Sequence, residues 1–355
     1  MSLFSCQRRL IAKAVTEPST SLFRCASTRG PFQWQDPLNM QEVLTDEERI
    51  LDVHRLENYD RKILEEMGEL GLLDPTIDGY GCAGVSSVAA GLITLQSSLV
   101  MGPIEKHGSQ EQKYRWLEKL ARGKLVGCFG LTEPNFGSDP GSLETTAVPH
   151  PTKKDAYILN GVKTWITNSP IADILLVWAK LDGTIRGFMP AIKDKNVLRA
   201  SITGMIQMDG CVVLAANMLP NVTGLKGPFS CLNLARYGIA WGTIGALEDC
   251  LDCKKLAVAL IDAAFGLQAA LQVGCLKDKG LVAPEMILMI KRQNCDCALS
   301  GACTLQEVSG GNAASGEYHI GRHVTKLFVT QTYEGQSDVH ALILGRSITG
   351  LQAFF

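Results

Sequence analysis

The sequence predicts an α+β fold, with helical regions at both ends and a middle region of short antiparallel strands. Three observations carry this prediction. Between about residues 46 and 126, apolar residues recur at helical spacing. Between 127 and about 220, the dipeptides Asn160-Gly161, Asp182-Gly183 and Asp209-Gly210 punctuate short β-rich runs. After Pro228 no proline occurs until Pro284, and that interval is apolar and helical in pattern. The 355 residues thus divide into a basic leader at 1–30, a helical N-terminal domain at 31–126, a β middle domain at 127–222 and a C-terminal helical bundle at 223–355.

Composition narrows the class. Hydrophobic residues at 46% and charged residues at 20% describe an ordinary globular chain long enough for two or three domains. The net charge of -2 excludes the strongly basic balance of a nucleic-acid binder. No uninterrupted apolar run reaches bilayer length, so no membrane span is expected. The leader carries Arg8, Arg9, Lys13, Arg24 and Arg29 against one acid, Glu17, with frequent Ser and Thr. This is the makeup of a mitochondrial transit peptide, and the alternative is a short disordered basic tail.

The twelve cysteines are scattered without regular spacing. Cys250-x-x-Cys253 and Cys295-x-Cys297 fall in helical stretches rather than the compact loops of a zinc site, so buried free thiols are expected. His319 and His323 are four residues apart on an expected helix, but no acid stands between them as in a His-Glu-x-x-His site. No metal site is expected.

Taken in order, Ile63, Met67 and Leu70 mark a helix face with Gly71 as its C-terminal cap. Gly79 to Gly84 fits Gly-x-Gly-x-x-Gly, but Asp74-Pro75 rather than a strand precedes it, so a glycine-rich turn is expected. Ser109 to Gln112 reads as a capping box opening a helix with Trp116, Leu117 and Leu120, stopped at Gly123. In the middle region three hairpins are expected: Tyr157–Leu159 with Thr164–Ile166, Ile174–Trp178 with Thr184–Met189, and Met205–Val213 turning at Asp209-Gly210. The proline-free interval is too long for one helix, and Gly266 is its only evident breaker after Gly245. Pro284 opens a further helix closed by Gly310-Gly311, and Ile320, Val324, Leu327 and Phe328 mark the next.

That last helix leads to Thr332-Tyr333-Glu334-Gly335-Gln336-Ser337-Asp338-Val339-His340. Gly335 frees the backbone after Glu334, and Ser337 or Asp338 is placed to cap a helix with Val339, Leu342 and Ile343 on its apolar face. Glu334 would then lie near a helix start, whose partial positive charge favours the ionised carboxylate a general base requires. By itself the stretch also reads as a surface carboxylate beside a helix.

Four segments taken together are more specific. They are Phe129 to Ser138 with Asp139-Pro140, Lys163 to Asn168, Ala235 to Trp241, and the Tyr333-Glu334-Gly335 loop. In this order they resemble the acyl-CoA dehydrogenase family, and within it the glutaryl-CoA branch, in blocks from about residue 32 to the end. Singly, Trp165 would fit a sheet core, Arg236 a helix surface and Ser138 a turn. The resemblance implies a helical N-terminal domain, a β middle domain and a four-helix bundle that hold FAD and acyl-CoA, in a homo-oligomer of the mitochondrial matrix passing electrons to electron-transfer flavoprotein. It implies Glu334 as the base, with its own N–H a donor to the thioester oxygen. Phe129, Gly130, Leu131, Thr132 and Ser138 would line the flavin, Ser138 also the CoA path, and Trp165, Ile166 and Thr167 the isoalloxazine edge. Glu307, Gly310 and Gly311 would hold FAD, with Gln336 beside the flavin. Arg236 would contact the CoA side, and Tyr333 and Gly335 would border the acyl group.

The sequence departs from the family in places. Gly91-Leu92-Ile93-Thr94 joins directly to Leu95-Gln96-Ser97-Ser98, without the segment that in glutaryl-CoA dehydrogenases carries an arginine for the distal carboxylate. The Arg-x-Gln-Phe-Gly stretch has no counterpart after Lys254-Lys255. Gln336 replaces a usual threonine, and Phe136 a small residue. The alternative to a working enzyme is therefore an impaired relative that binds acyl-CoA or assembles with intact subunits.

Overall fold

The computed structural model describes residues 60–93, 99–181, 202–253 and 256–352. The leader, the 94–98 junction and the expected strand at 184–189 lie outside them.

The N-terminal part is helical: α1 (Lys62–Glu69), α2 (Ser87–Ile93), α3 (Met101–His107) and α4 (Gln110–Ala121). The capping box opens α4 as expected, Ser109 and Gln112 each bonding the other's backbone N–H. Gly71 after α1 takes φ 70°. The α1 face differs from expectation, because Leu70 is 73% exposed and Ile63 44%. The core here is instead Val100, Met101, Ile104, Leu117 and Leu120. Gly79, Tyr80, Gly81 and Gly84 all have positive φ, a turn with no strand before it.

The middle part contains β1 (Gly127–Gly130), β2 (Thr146–Pro149), β3 (Ala156–Thr167), β4 (Ile174–Val177) and β5 (Thr203–Leu214). Two expected hairpins are corrected. β3 runs straight through Asn160-Gly161, β5 runs straight through Asp209-Gly210, and the two pair antiparallel along their lengths. The two dipeptides meet across this pair at a register shift, where Asn160 Oδ1 accepts the Gly210 N–H at 2.8 Å. Their positive φ angles serve a bulge, which twists a long pair, and not a chain reversal. β2 adds to the other edge of β3 in an antiparallel three-stranded sheet, while β4 pairs in parallel with β1.

The C-terminal part is a bundle of α5 (Lys226–Cys253), α6 (Ala257–Asp278), α7 (Pro284–Ser309) and α8 (Ile320–Thr332), followed by α9 (Ser337–Thr349). Within the proline-free interval α5 ends at Cys253 and α6 begins at Ala257, whereas Gly266 lies buried inside α6. An added Cβ on Gly266 would crowd Asn294 of α7, so this glycine permits close helix packing. α7 is central and contacts α5, α6, α8 and α9. Ile244, Leu247, Cys250, Ala298, Ala302, Leu305, Ile320 and Leu327 form the bundle core. Gly310 closes α7 in a positive-φ conformation, as expected.

By length and composition α6 is apolar enough to cross a membrane, although Asp262, Gln268 and Gln272 interrupt its apolar run. Its small residues Ala259, Ala263, Gly266 and Ala270 are nevertheless buried in the bundle. On α9 the inward residues are Ser337 and His340, while Leu342 is 43% exposed, contrary to the apolar face expected.

Candidate active site

The chain between α8 and α9 is built around two left-handed residues, Glu334 at φ 55° and Gly335 at φ 96°. For a non-glycine residue this conformation is held only by surrounding contacts. Lys291 of α7, fully buried, donates through Nζ to the carbonyls of Gln331 (3.3 Å), Tyr333 (2.9 Å) and Gly335 (2.8 Å). The Glu334 carbonyl between them is met from α5 by Arg236 Nε at 2.6 Å and from α9 by His340 Nε2 at 3.3 Å. Arg236 is itself oriented by Asn233 Oδ1 at 2.9 Å.

The expected cap is corrected. Gln336 is the N-cap residue of α9 and makes no side-chain cap bond. Ser337 instead donates to both carboxylate oxygens of Asp296 on α7, at 2.8 and 2.7 Å, and Gln331 donates to the same carboxylate at 2.8 Å. The electrostatic expectation changes too. Burial pushes the Glu334 carboxyl up to about 7, outweighing the opposing pull of Arg236 and Lys291. The two cations bond loop carbonyls and Asn233, and Glu334 Oε2 is buried without a hydrogen-bond partner. The result is a carboxyl poised to change protonation near neutrality, inside the fold.

The second half of the site is formed by the segment after β1. Lys163, fully buried in β3, bonds the Leu131 carbonyl at 3.0 Å and Glu133 Oε1 at 2.8 Å. Glu133 also accepts the Thr145 N–H at 3.0 Å and the Glu144 N–H at 2.5 Å. These bonds, against the upward push of burial, hold its carboxyl below the usual range. The Thr132 carbonyl accepts the Thr164 N–H at 2.9 Å, which lays this segment along β3 where its ladder slips. There Trp165 takes φ 58° and is 64% exposed.

Other expected residues separate into groups. Thr132 is half-buried and Thr167 and Ser138 are exposed, so their hydroxyls are available beside Trp165 or on the adjoining loop. Ile166 is a core side chain, and Gly130 is packed against Val177 and Lys163, so only their backbones could face a ligand. Phe129 is in ring contact with Trp178, centroids 6.2 Å apart. Phe136 is half-buried in a tight turn with reciprocal backbone bonds to Glu133. Arg236, expected toward CoA, is buried beneath the base loop. Burial pushes the Tyr333 hydroxyl well up, and Gln336 is exposed. Glu307, Gly310 and Gly311 lie exposed at the far end of α7, sixteen to twenty residues beyond Lys291, which for Glu307 is about 24 Å along the axis. They are not brought to Glu334 within one chain.

The halves join through α5. Leu232, one turn before Arg236, packs with Leu131 and Leu143 in one buried cluster. An exposed tryptophan on the irregular stretch of β3, hydroxyls beside it and an unpartnered buried carboxylate oxygen in the part joined to it through α5 fit a planar redox cofactor and a substrate with an acidic C–H. Lys291 and Asp296 lie outside every motif of the sequence, while His340, Glu133 and Lys163 lie inside motifs that assign them no role. Lys291 left one usable signal, a charge at a core position of the Ile287, Asn294, Ala298 helical stripe.

Comparison with known proteins agrees with this geometry. The family model described as acyl-CoA dehydrogenase, N-terminal domain, matches residues 86–124, and that for the acyl-CoA dehydrogenase middle domain matches 128–202. The chain is similar to the crystal structure of glutaryl-CoA dehydrogenase from Mycobacterium smegmatis, at 36% identity and a TM-score of 0.80, over 90% of this chain and 99% of that one. A structure of that organism's glutaryl-CoA dehydrogenase with FADH2 is similar at 32% identity and a TM-score of 0.80, over 89% and 98% of the two chains. The mitochondrial short-chain specific acyl-CoA dehydrogenase of Rattus norvegicus is 28% identical over 340 residues, 79% of this chain and 81% of the relative. The chain belongs to the acyl-CoA dehydrogenase family, FAD-using oxidoreductases acting on CH–CH bonds.

Proposed function

We propose that this chain is an FAD-dependent dehydrogenase of glutaryl-CoA type, forming the α,β double bond and releasing CO2 to give crotonyl-CoA. The observation that carries this reading is the buried, partnerless Oε2 of Glu334 on a loop clamped from α5, α7 and α9. The 36% identity to a glutaryl-CoA dehydrogenase supports the substrate.

Thr132, Trp165, Thr167 and the backbone of Leu131 and Ile166 would hold FAD, which would supply the acceptor for the hydride of the β-carbon. Glu334 takes the α-proton as a carboxylate, and its backbone N–H donates to the thioester oxygen as enolate charge develops. Arg236 and Lys291 keep the ionised form accessible despite burial. After oxidation, loss of the distal carboxylate as CO2 leaves a carbanion, and the proton now held by Glu334 is the nearest one available to it. Activity therefore rises with pH through about 7, where Glu334 loses its proton.

The basic leader supports import into the mitochondrial matrix, where electron-transfer flavoprotein would be the electron acceptor. Exposed Val258, Leu260, Ile261 and Phe265 on α6 support a homo-oligomer. A second reading, dehydrogenation of short unbranched acyl-CoA without decarboxylation, is favoured by the missing arginine segment at Thr94-Leu95 and by the match to the rat short-chain enzyme.

Purified protein supplied with FAD is assayed with glutaryl-CoA and butyryl-CoA while CO2 is measured. Turnover of glutaryl-CoA with equimolar CO2 is expected. Turnover of butyryl-CoA alone selects the second reading. No turnover of either, with FAD bound, selects the impaired relative.

A further inference from the structure

We infer that Lys291 is the positioning residue that sets the Glu334 turn, and that no other single contact fixes it as fully. The inference rests on Glu334 being the base. A lysine ammonium has three N–H donors and no acceptor. Here all three have carbonyl partners, Gln331, Tyr333 and Gly335, within five consecutive residues that bracket Glu334. Two of these partners flank the base, at 2.9 and 2.8 Å. Rotation about the Glu334 backbone would carry the Gly335 carbonyl away from an ammonium still fixed on Tyr333. The clamp thus selects the left-handed Glu334 and Gly335 conformations. Arg236 and His340 act on the single intervening carbonyl, so they support the turn without defining it.

Sequence position explains why a lysine fits there. It projects from the first third of α7 toward the end of α8, whose last carbonyls carry the negative end of the helix dipole. Burial disfavours the charged ammonium, while the fields of Cys295, Glu334 and Asp296 favour it and that of Arg236 opposes it. The charged and titratable groups facing this loop are Arg236 and Cys231 from α5, Lys291, Arg292, Cys295 and Asp296 from α7, and Tyr333, Glu334 and His340 from the loop and α9. Among them only Arg236 and Lys291 pull the Glu334 carboxyl downward.

The test uses the full, FAD-supplied protein and the variants Lys291→Met, Lys291→Gln and Lys291→Arg. The readouts are kcat, KM, the pH profile of kcat/KM, and hydrogen exchange of the 331–337 segment. For Lys291→Met the expectation is a fall in kcat on the order of 100-fold with little change in KM. The acid limb moves upward by roughly one pH unit as the downward pull on Glu334 is lost. Exchange in 331–337 accelerates while the rest of α7 keeps its protection. Lys291→Arg, which keeps charge and donors, recovers part of each effect. If Lys291→Met does not fold, Lys291→Gln is read in the same way. A variant with the wild-type acid limb and wild-type protection of 331–337 overturns the inference. Failure of the wild type to oxidise any acyl-CoA overturns the functional reading instead, and the exchange measurement still decides the clamp.

Discussion

At the scale of single residues, the site depends on a carboxyl kept inside the fold at a cost to stability. Glu334 titrates at about 7 when folded, above the ordinary carboxylate value it has in the unfolded chain. Between those values the folded form holds a proton that the unfolded form has released, so this group makes stability fall as pH rises across that window. Glu334→Gln removes the group and its slope. Thermal unfolding is expected to show the variant gaining on the wild type at pH 8 relative to pH 5, and an equal difference at both pH values would contradict the burial of the carboxyl. Glu334 was legible in the sequence because Gly335 and its motif advertise it. Its electrostatics were not, because the helix-start argument considered a local dipole while the dominant effect, desolvation, comes from residues distant in sequence. Lys291 stands 43 positions before Glu334 and His340 six after it, and nothing local to Glu334 points to either.

At the scale of elements, the Glu133–Lys163 pair ties the segment after β1 to β3. Both side chains are buried, at 4% and 0% exposure. Removing one partner of such a pair leaves an uncompensated buried charge, a loss of about 3–5 kcal/mol. Lys163→Met is expected to lose stability in that range by urea unfolding at pH 7, and Lys163→Met with Glu133→Gln to lose less. Elements with their own chemistry were legible, as with the Ser109 capping box and the Gly310 stop of α7. The Asn-Gly and Asp-Gly hairpins were not. A dipeptide tolerant of positive φ serves a reversal and a bulge equally, and only the partner strand decides between them, here through the Asn160–Gly210 bond. Similarly, Gly266 does not end a helix, because it is required where α6 packs closely against Ile244 and Asn294. A buried glycine is not always a breaker.

At the scale of the whole molecule, the bundle presents apolar residues outward that its own core does not use. Phe265 is 74% exposed on α6, with Val258, Leu260 and Ile261 near it. Glu307, Gly310 and Gly311 stand at the end of α7 away from the base, as they would if a cofactor contact there were made to another copy of the chain. Light scattering is expected to report more than one chain per particle, and Phe265→Glu to reduce that number; a monomeric wild type would contradict the proposed assembly. The α+β arrangement and the family were legible because ordered motifs span the chain, whereas the substrate was not, since its specificity segment is a departure from the family. In the proposed reaction Glu334 abstracts a proton from a bound acyl-CoA in concert with hydride loss to FAD. The most direct measurement is anaerobic addition of glutaryl-CoA to the FAD-loaded protein while the visible flavin absorbance is followed. The wild type is expected to bleach, and Glu334→Gln, with equal FAD content, to stay yellow. Equal bleaching of the two proteins would contradict it.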